Sequence, residues 1–127
     1  MPRPLKRILY VEDDASIGKI VQIALESVGG FTVEACDSGA AALERAPAFR
    51  PDLILLDAIM SEMDGAATLR ALRKIPETAS TPVVFVTTKL EPRKQRLAER
   101  MGALDVIFKP FDPMRLSADI QRIWGAA

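Results

Sequence analysis

Apolar and polar positions alternate between two rhythms along this chain of 127 residues. Five short apolar runs recur: Ile8–Val11, Phe31–Ala35, Leu53–Leu56, Val83–Val86 and Asp105–Phe108. They are rich in Val, Ile, Leu or Phe, and most are too short for helices, so they predict strands. Between them, apolar residues return at helical spacing. From Asp14 onward, Ile17, Ile20, Val21, Ala24, Leu25 and Val28 share one face, and Gly29-Gly30 ends the segment. Ser38 predicts the cap of a second helix running through Ala46, ahead of Pro47. A third helix is expected over Ala66–Ile75, with Leu69 and Leu72 inward, stopping before Pro76. The fourth follows Pro92, carries Leu97 and Met101, and closes at Gly102. The last follows Pro113, turning Leu116, Ile120 and Ile123 inward with Trp124 near its end.

Strand and helix thus alternate five times. That order implies a parallel sheet with right-handed crossovers and helices on both faces. Leu53–Leu56 and Val83–Val86 suit burial on both sides. The length fits one domain, and 49% hydrophobic against 27% charged residues supports a real core. Lys plus Arg (17) equals Asp plus Glu (17), which leaves no electrostatic footprint for nucleic acid or an anionic membrane. The single cysteine, Cys36, excludes an internal disulfide and a Cys-based zinc site. Without histidine the commonest general base is missing, and any metal must be a hard cation on oxygen ligands. Charges interrupt every apolar run, so a soluble, cytoplasmic protein is expected.

The strand ends change the picture. In an open parallel sheet, ligands bind beyond the carboxyl ends of the strands. Glu12 and Asp13 follow the first run, Asp57 the third, Thr87 and Thr88 the fourth, and Lys109 the fifth. Singly, each has a structural explanation: Asp14 caps the first helix, Glu12 and Asp13 decorate its start, Asp57 caps a turn, Thr87 is a strand residue and Lys109 is solvated. Together, three carboxylates, a hydroxyl and an ammonium at one sheet edge point to chemistry. Asp13 and Asp57, with Glu12 acting mainly through water, supply the sparse carboxylate shell that Mg²⁺ prefers. A cation would also relieve the repulsion among Glu12, Asp13 and Asp14. A carboxylate serves as a nucleophile toward phosphorus, giving an aspartyl phosphate, and the central Asp57 is the candidate. Such transfer depends on positioning and charge neutralisation, roles that fit the Lys109 ammonium and the Thr87 hydroxyl.

The segments "VEDD", "LILLDAIMSEMDG", "VVFVTT" and "FKPF", in this order, resemble the receiver domain of two-component response regulators over essentially the whole chain. The resemblance implies a flavodoxin-like (βα)5 three-layer sandwich with a five-stranded parallel sheet in the order 2-1-3-4-5. It implies Glu12 and Asp13 as the acidic pair, Asp57 as phosphoacceptor, Thr87 as switch hydroxyl and Lys109 as the family's lysine. The backbone carbonyl of Ile59 would complete the Mg²⁺ shell. The donor would be a phosphohistidine on a sensor histidine kinase or phosphotransfer protein, and the signal would pass to a downstream effector protein. Direct contact with nucleic acid is not expected, and homodimerisation through the face of the fourth helix, fifth strand and fifth helix is one option. Residues 1–127 are expected to be one receiver domain with no output domain. Lys109-Pro110 reads as a cis peptide by the same resemblance, a trans turn being the alternative, and Gly65 suits a turn with φ > 0.

Several positions depart from the family pattern. Val106 stands where an aromatic is common, so signalling is expected to use loop and backbone shifts. Ser61 replaces a common proline, and Thr88 replaces a small residue and would narrow access to the phosphoryl group. Lys89 and Ile59 lie where side chains screen or position an attacking water. Arg93, Lys94, Arg96, Glu99 and Arg100 form either a solvated helix face or a docking site. Two other functions compete: a constitutive interaction module that is never switched, and an aspartyl phosphatase. The latter enzymes place a second aspartate two residues after the nucleophile, where this chain has Ile59.

Overall fold

The five apolar runs pair as one parallel sheet in the order β2-β1-β3-β4-β5. Its strands are β1 (Arg7–Val11), β2 (Thr32–Cys36), β3 (Leu53–Asp57), β4 (Val83–Thr87) and β5 (Ala103–Phe108), in the order and sense expected. The structure is a computed structural model that describes residues 3–60, 63–88 and 92–126, the side chains of Lys94, Gln95, Leu97 and Ala98 excepted. The expectations for Ser61, Lys89, Lys94 and Leu97 lie outside the described residues.

Helices α1 (Ala15–Ser27), α2 (Gly39–Phe49), α3 (Gly65–Leu72), α4 (Pro92–Arg100) and α5 (Pro113–Ala126) flank the sheet, with a 3-10 turn at Pro76–Thr78. Strand alternation splits the core in two. Ile8, Tyr10, Leu53, Leu55, Val84 and Val86 pack with Val21 and Leu25 of α1 and with Leu116, Ile120, Ile123 and Trp124 of α5. Leu9, Val11, Ile54, Leu56, Val83 and Phe85 pack on the other side with Ala42 and Ala46 of α2 and Leu69 and Leu72 of α3. β3 and β4 are buried from end to end, as their continuous apolar runs require. Among the described residues, no helix is long and apolar enough to cross a membrane.

Four expectations are corrected. Pro47 does not end α2, which runs on to Phe49. The missing N–H falls in the last turn, and Arg50, in the left-handed region at φ 53°, closes the helix by donating to the Ala46 carbonyl at 3.0 Å. α3 ends at Leu72, and the chain to Ile75 tightens into three-residue turns, with Ile75 N–H on the Leu72 carbonyl. Ile20 and Val28 are not inward: they are 54% and 48% exposed. Val28 lies just past the last helical residue, and Ile20 sits at the margin of a stripe centred on Val21, Ala24 and Leu25. Gly65 has no positive φ. It is needed for close approach instead, because a Cβ there would lie 2.5 Å from the Asp57 carbonyl oxygen.

Candidate functional site

The register of β1 and β3 builds the site. Val11 pairs with Leu56, so the next residues, Glu12 and Asp57, meet side by side at the carboxyl rim. Asp57 is the last residue of β3 and Thr87 the last of β4, one position further into their strands than the sequence indicated. Thr87 is fully buried. Lys109 follows β5 directly, its N–H donating to the Thr87 carbonyl at 2.8 Å, and the Lys109-Pro110 bond is cis. Asp14 caps α1 by accepting the Ile17 N–H at 3.0 Å, which bends the chain out of the rim just after the acidic pair.

The side chains converge. Lys109 Nζ donates to Glu12 Oε1 at 2.5 Å and to Asp57 Oδ2 at 3.3 Å. Asp57 Oδ1 accepts the Ile59 N–H at 3.1 Å, and Glu12 Oε2 accepts the Asp14 N–H at 3.3 Å. Glu12 and Asp57 are only 4% and 3% exposed, so neither charge has much water to lean on. Burial pushes the Asp57 carboxyl up to about 6. The hydrogen bond and negative charge of Glu12 add to the rise, against the lowering pull of the Ile59 N–H and Lys109. Burial pulls the Lys109 ammonium down, yet its bond to Glu12 and the charges of Asp57 and Glu12 hold it above its ordinary value.

Carboxylate oxygens of Glu12, Asp13 and Asp57 lie within 4.8 Å of one another. This all-oxygen, three-carboxylate set fits a hard divalent cation such as Mg²⁺ and offers nothing to a soft metal. Asp13 is the exposed member, and Glu12 and Asp57 are buried. Ile59 also sits at the rim, with its N–H on Asp57 and its side chain 56% exposed. Thr88 is exposed and lines, with Lys109, an apolar groove of about 360 Å³ walled by Ile17, Ile20, Phe111 and Pro113.

Two features went unread in the sequence. The Tyr10 hydroxyl lies 3.4 Å from Glu12 Oε1. Residues two apart in a strand share a face, so a phenol at Tyr10 and a carboxylate at Glu12 carried that signal. The apolar groove joins α1 to the segment after β5, and nothing local in either segment announces it.

Residues 8–121 match the family described as the response regulator receiver domain. Curated relatives include the alkaline phosphatase synthesis transcriptional regulatory protein PhoP of Bacillus subtilis. It is 35% identical over 118 residues, covering 93% of this chain and 48% of that protein. The DNA-binding response regulator MtrA of Mycobacterium tuberculosis is 36% identical over 116 residues, covering 91% and 49%. The chain thus spans about half the length of these curated relatives. Among solved structures, the Vibrio cholerae chemotaxis protein CheY4 aligns with a TM-score of 0.86 at 32% identity, covering 94% of this chain and 99% of that one.

Proposed function

The chain belongs to the response regulator receiver domain family, and from that premise we propose that it is a phosphorylation-controlled switch whose acceptor is Asp57. One observation carries the reading: Asp57 is a buried carboxylate held between an acidic pair and a lysine, with its Oδ2 3.3 Å from Lys109 Nζ.

Glu12, Asp13 and Asp57, with the carbonyl of Ile59, would hold Mg²⁺. Bound there, the ion supplies positive charge against the acceptor carboxylate and the incoming phosphoryl oxygens. The chain's own residues do the rest. The Ile59 N–H holds one Asp57 oxygen and orients the carboxylate for attack on phosphorus. The Lys109 ammonium pairs with one phosphoryl oxygen and the Thr87 hydroxyl donates to another as the Asp57 O–P bond forms and the P–N bond to the phosphohistidine donor breaks, releasing its imidazole. That new hydrogen bond draws Thr87 toward the rim. Because the Thr87 carbonyl also accepts the Lys109 N–H, the ends of β4 and β5 respond together.

The donor is read as a phosphohistidine on a sensor histidine kinase or phosphotransfer protein. The apolar groove beside Lys109, with Ile20 half-exposed on it, supports a docking face for such a donor. Output would leave through α4, β5 and α5 to an effector protein or a second copy. Exposed Arg93, Arg96, Glu99 and Arg100, with the half-exposed Phe108, support that surface. Val106 is an aliphatic residue packed against the core, in keeping with a response carried by backbone shifts.

Incubation with Mg²⁺ and acetyl phosphate tests the reading by intact mass. A phosphoryl increment is expected on the wild-type chain and none on Asp57→Asn. An unmodified wild-type chain would favour a constitutive interaction module.

A further inference from the structure

Glu12 Oε1 faces two donors of unequal reach. Lys109 Nζ is at 2.5 Å, a full charge-assisted hydrogen bond, while the Tyr10 hydroxyl is at 3.4 Å. The second distance exceeds the roughly 2.5–3.0 Å of an O–H···O bond. The phenol therefore waits beside an oxygen that the lysine already satisfies. Tyr10 is 1% exposed in the core shared with α1 and α5, where a phenylalanine would pack as well without burying a hydroxyl.

Lys109 Nζ now bonds Glu12 at 2.5 Å and Asp57 more loosely at 3.3 Å, and a phosphoryl group added to Asp57 would compete for the ammonium with more oxygens and more charge. Turning to the phosphoryl oxygen strips its short hydrogen bond from a carboxylate whose side chain is 2% exposed. A buried carboxylate oxygen that loses its donor is costly, even where the Mg²⁺ proposed above offsets part of the carboxylate charge. We infer that Tyr10 is a positioning residue for the switch: its hydroxyl closes onto Glu12 Oε1 as Lys109 leaves for the phosphoryl group. It lowers the cost of the phosphorylated arrangement rather than holding the resting one. This rests on the assignment of Asp57 as acceptor.

Tyr10 is the only tyrosine in the chain, so labelling tyrosine with carbon-13 at Cζ yields one NMR signal. Saturation with Mg²⁺ and beryllofluoride, a mimic of the acyl phosphate, should move that signal in the sense of a stronger hydrogen-bond donor. Tyr10→Phe should bind beryllofluoride about tenfold more weakly at saturating Mg²⁺, with an unchanged circular dichroism spectrum. A stationary tyrosine signal, or undiminished affinity in the folded variant, would overturn the inference. If Tyr10→Phe folded poorly, the wild-type signal would decide alone. A wild-type chain that bound no beryllofluoride would instead remove the assignment of Asp57, and this inference with it.

Discussion

At the amino ends of the strands, Asp52 gathers three donors and Arg73 three acceptors, a ratio that answers each charge. Asp52 accepts the backbone N–H groups of Lys6 and Arg7 and pairs with Arg3 at 2.7 Å. The Arg3 carbonyl takes the Trp124 indole N–H at 2.7 Å. Arg73 reaches from the end of α3 to three carbonyls, those of Met101, Thr78 and Thr81, at 2.7–2.9 Å. At the carboxyl ends the ratio fails. Glu12, Asp13 and Asp57 crowd together, Lys109 bridges the two buried ones, and the Asp57 carboxyl is pushed up to about 6. The amino end is built for stability. The carboxyl end is held in electrostatic tension by the stability of the rest, as the proposed cation and phosphoryl site would require.

Substitutions at the two ends should therefore respond differently to Mg²⁺ and pH. Lys109→Met leaves buried carboxylates uncompensated and should cost about 3 kcal/mol in urea denaturation at neutral pH. Added Mg²⁺ or acid should recover much of that loss. A deficit indifferent to both would make the lysine an ordinary structural ion pair. Arg73→Met removes the donor from three carbonyls and should cost about 2 kcal/mol, equal with and without Mg²⁺.

Asp57→Asn should do the opposite and stabilise the chain. Burial pushes the folded carboxyl up to about 6, above its ordinary 3.8, so between those values the folded state binds more protons than the unfolded one. Stability then falls as pH rises through that window, and the penalty is complete above about pH 6. The variant should exceed wild type by about 1–2 kcal/mol at pH 7, below a ceiling of about 3 kcal/mol, with the gap closing near pH 4. Melting curves at both pH values, without Mg²⁺, check this, and a gap independent of pH would contradict it. The smallest effect concerns Ser117 on α5, whose buried hydroxyl has no hydrogen-bond partner among the described residues. Ser117→Ala should be neutral or raise stability by up to about 1 kcal/mol, with no change in Mg²⁺ binding.

The elements and the rim were legible because both depend on local order: apolar runs mark strands, and a charge just past a run lands at the sheet edge. Strand order depends on topology and came from the family resemblance, while the contact between Glu12 and Lys109, 97 positions apart, was read by neither route. The Arg73 clamp was hidden for the same reason, since its three carbonyls belong to backbone that any residue provides. Ile20 misled because helical spacing names a face without measuring how wide a stripe the sheet can cover. Gly65 misled differently, since a glycine signals either an unusual φ or a close approach, and only coordinates separate them.

Carboxyl carbon-13 NMR of Asp57, titrated with pH with and without saturating Mg²⁺, bears most directly on the central claim. A midpoint near 6 is expected without the ion, dropping below the ordinary carboxylate range with it. A midpoint already near 4 without Mg²⁺, or one that the ion leaves in place, would contradict the claim that this rim is kept under tension for a cation.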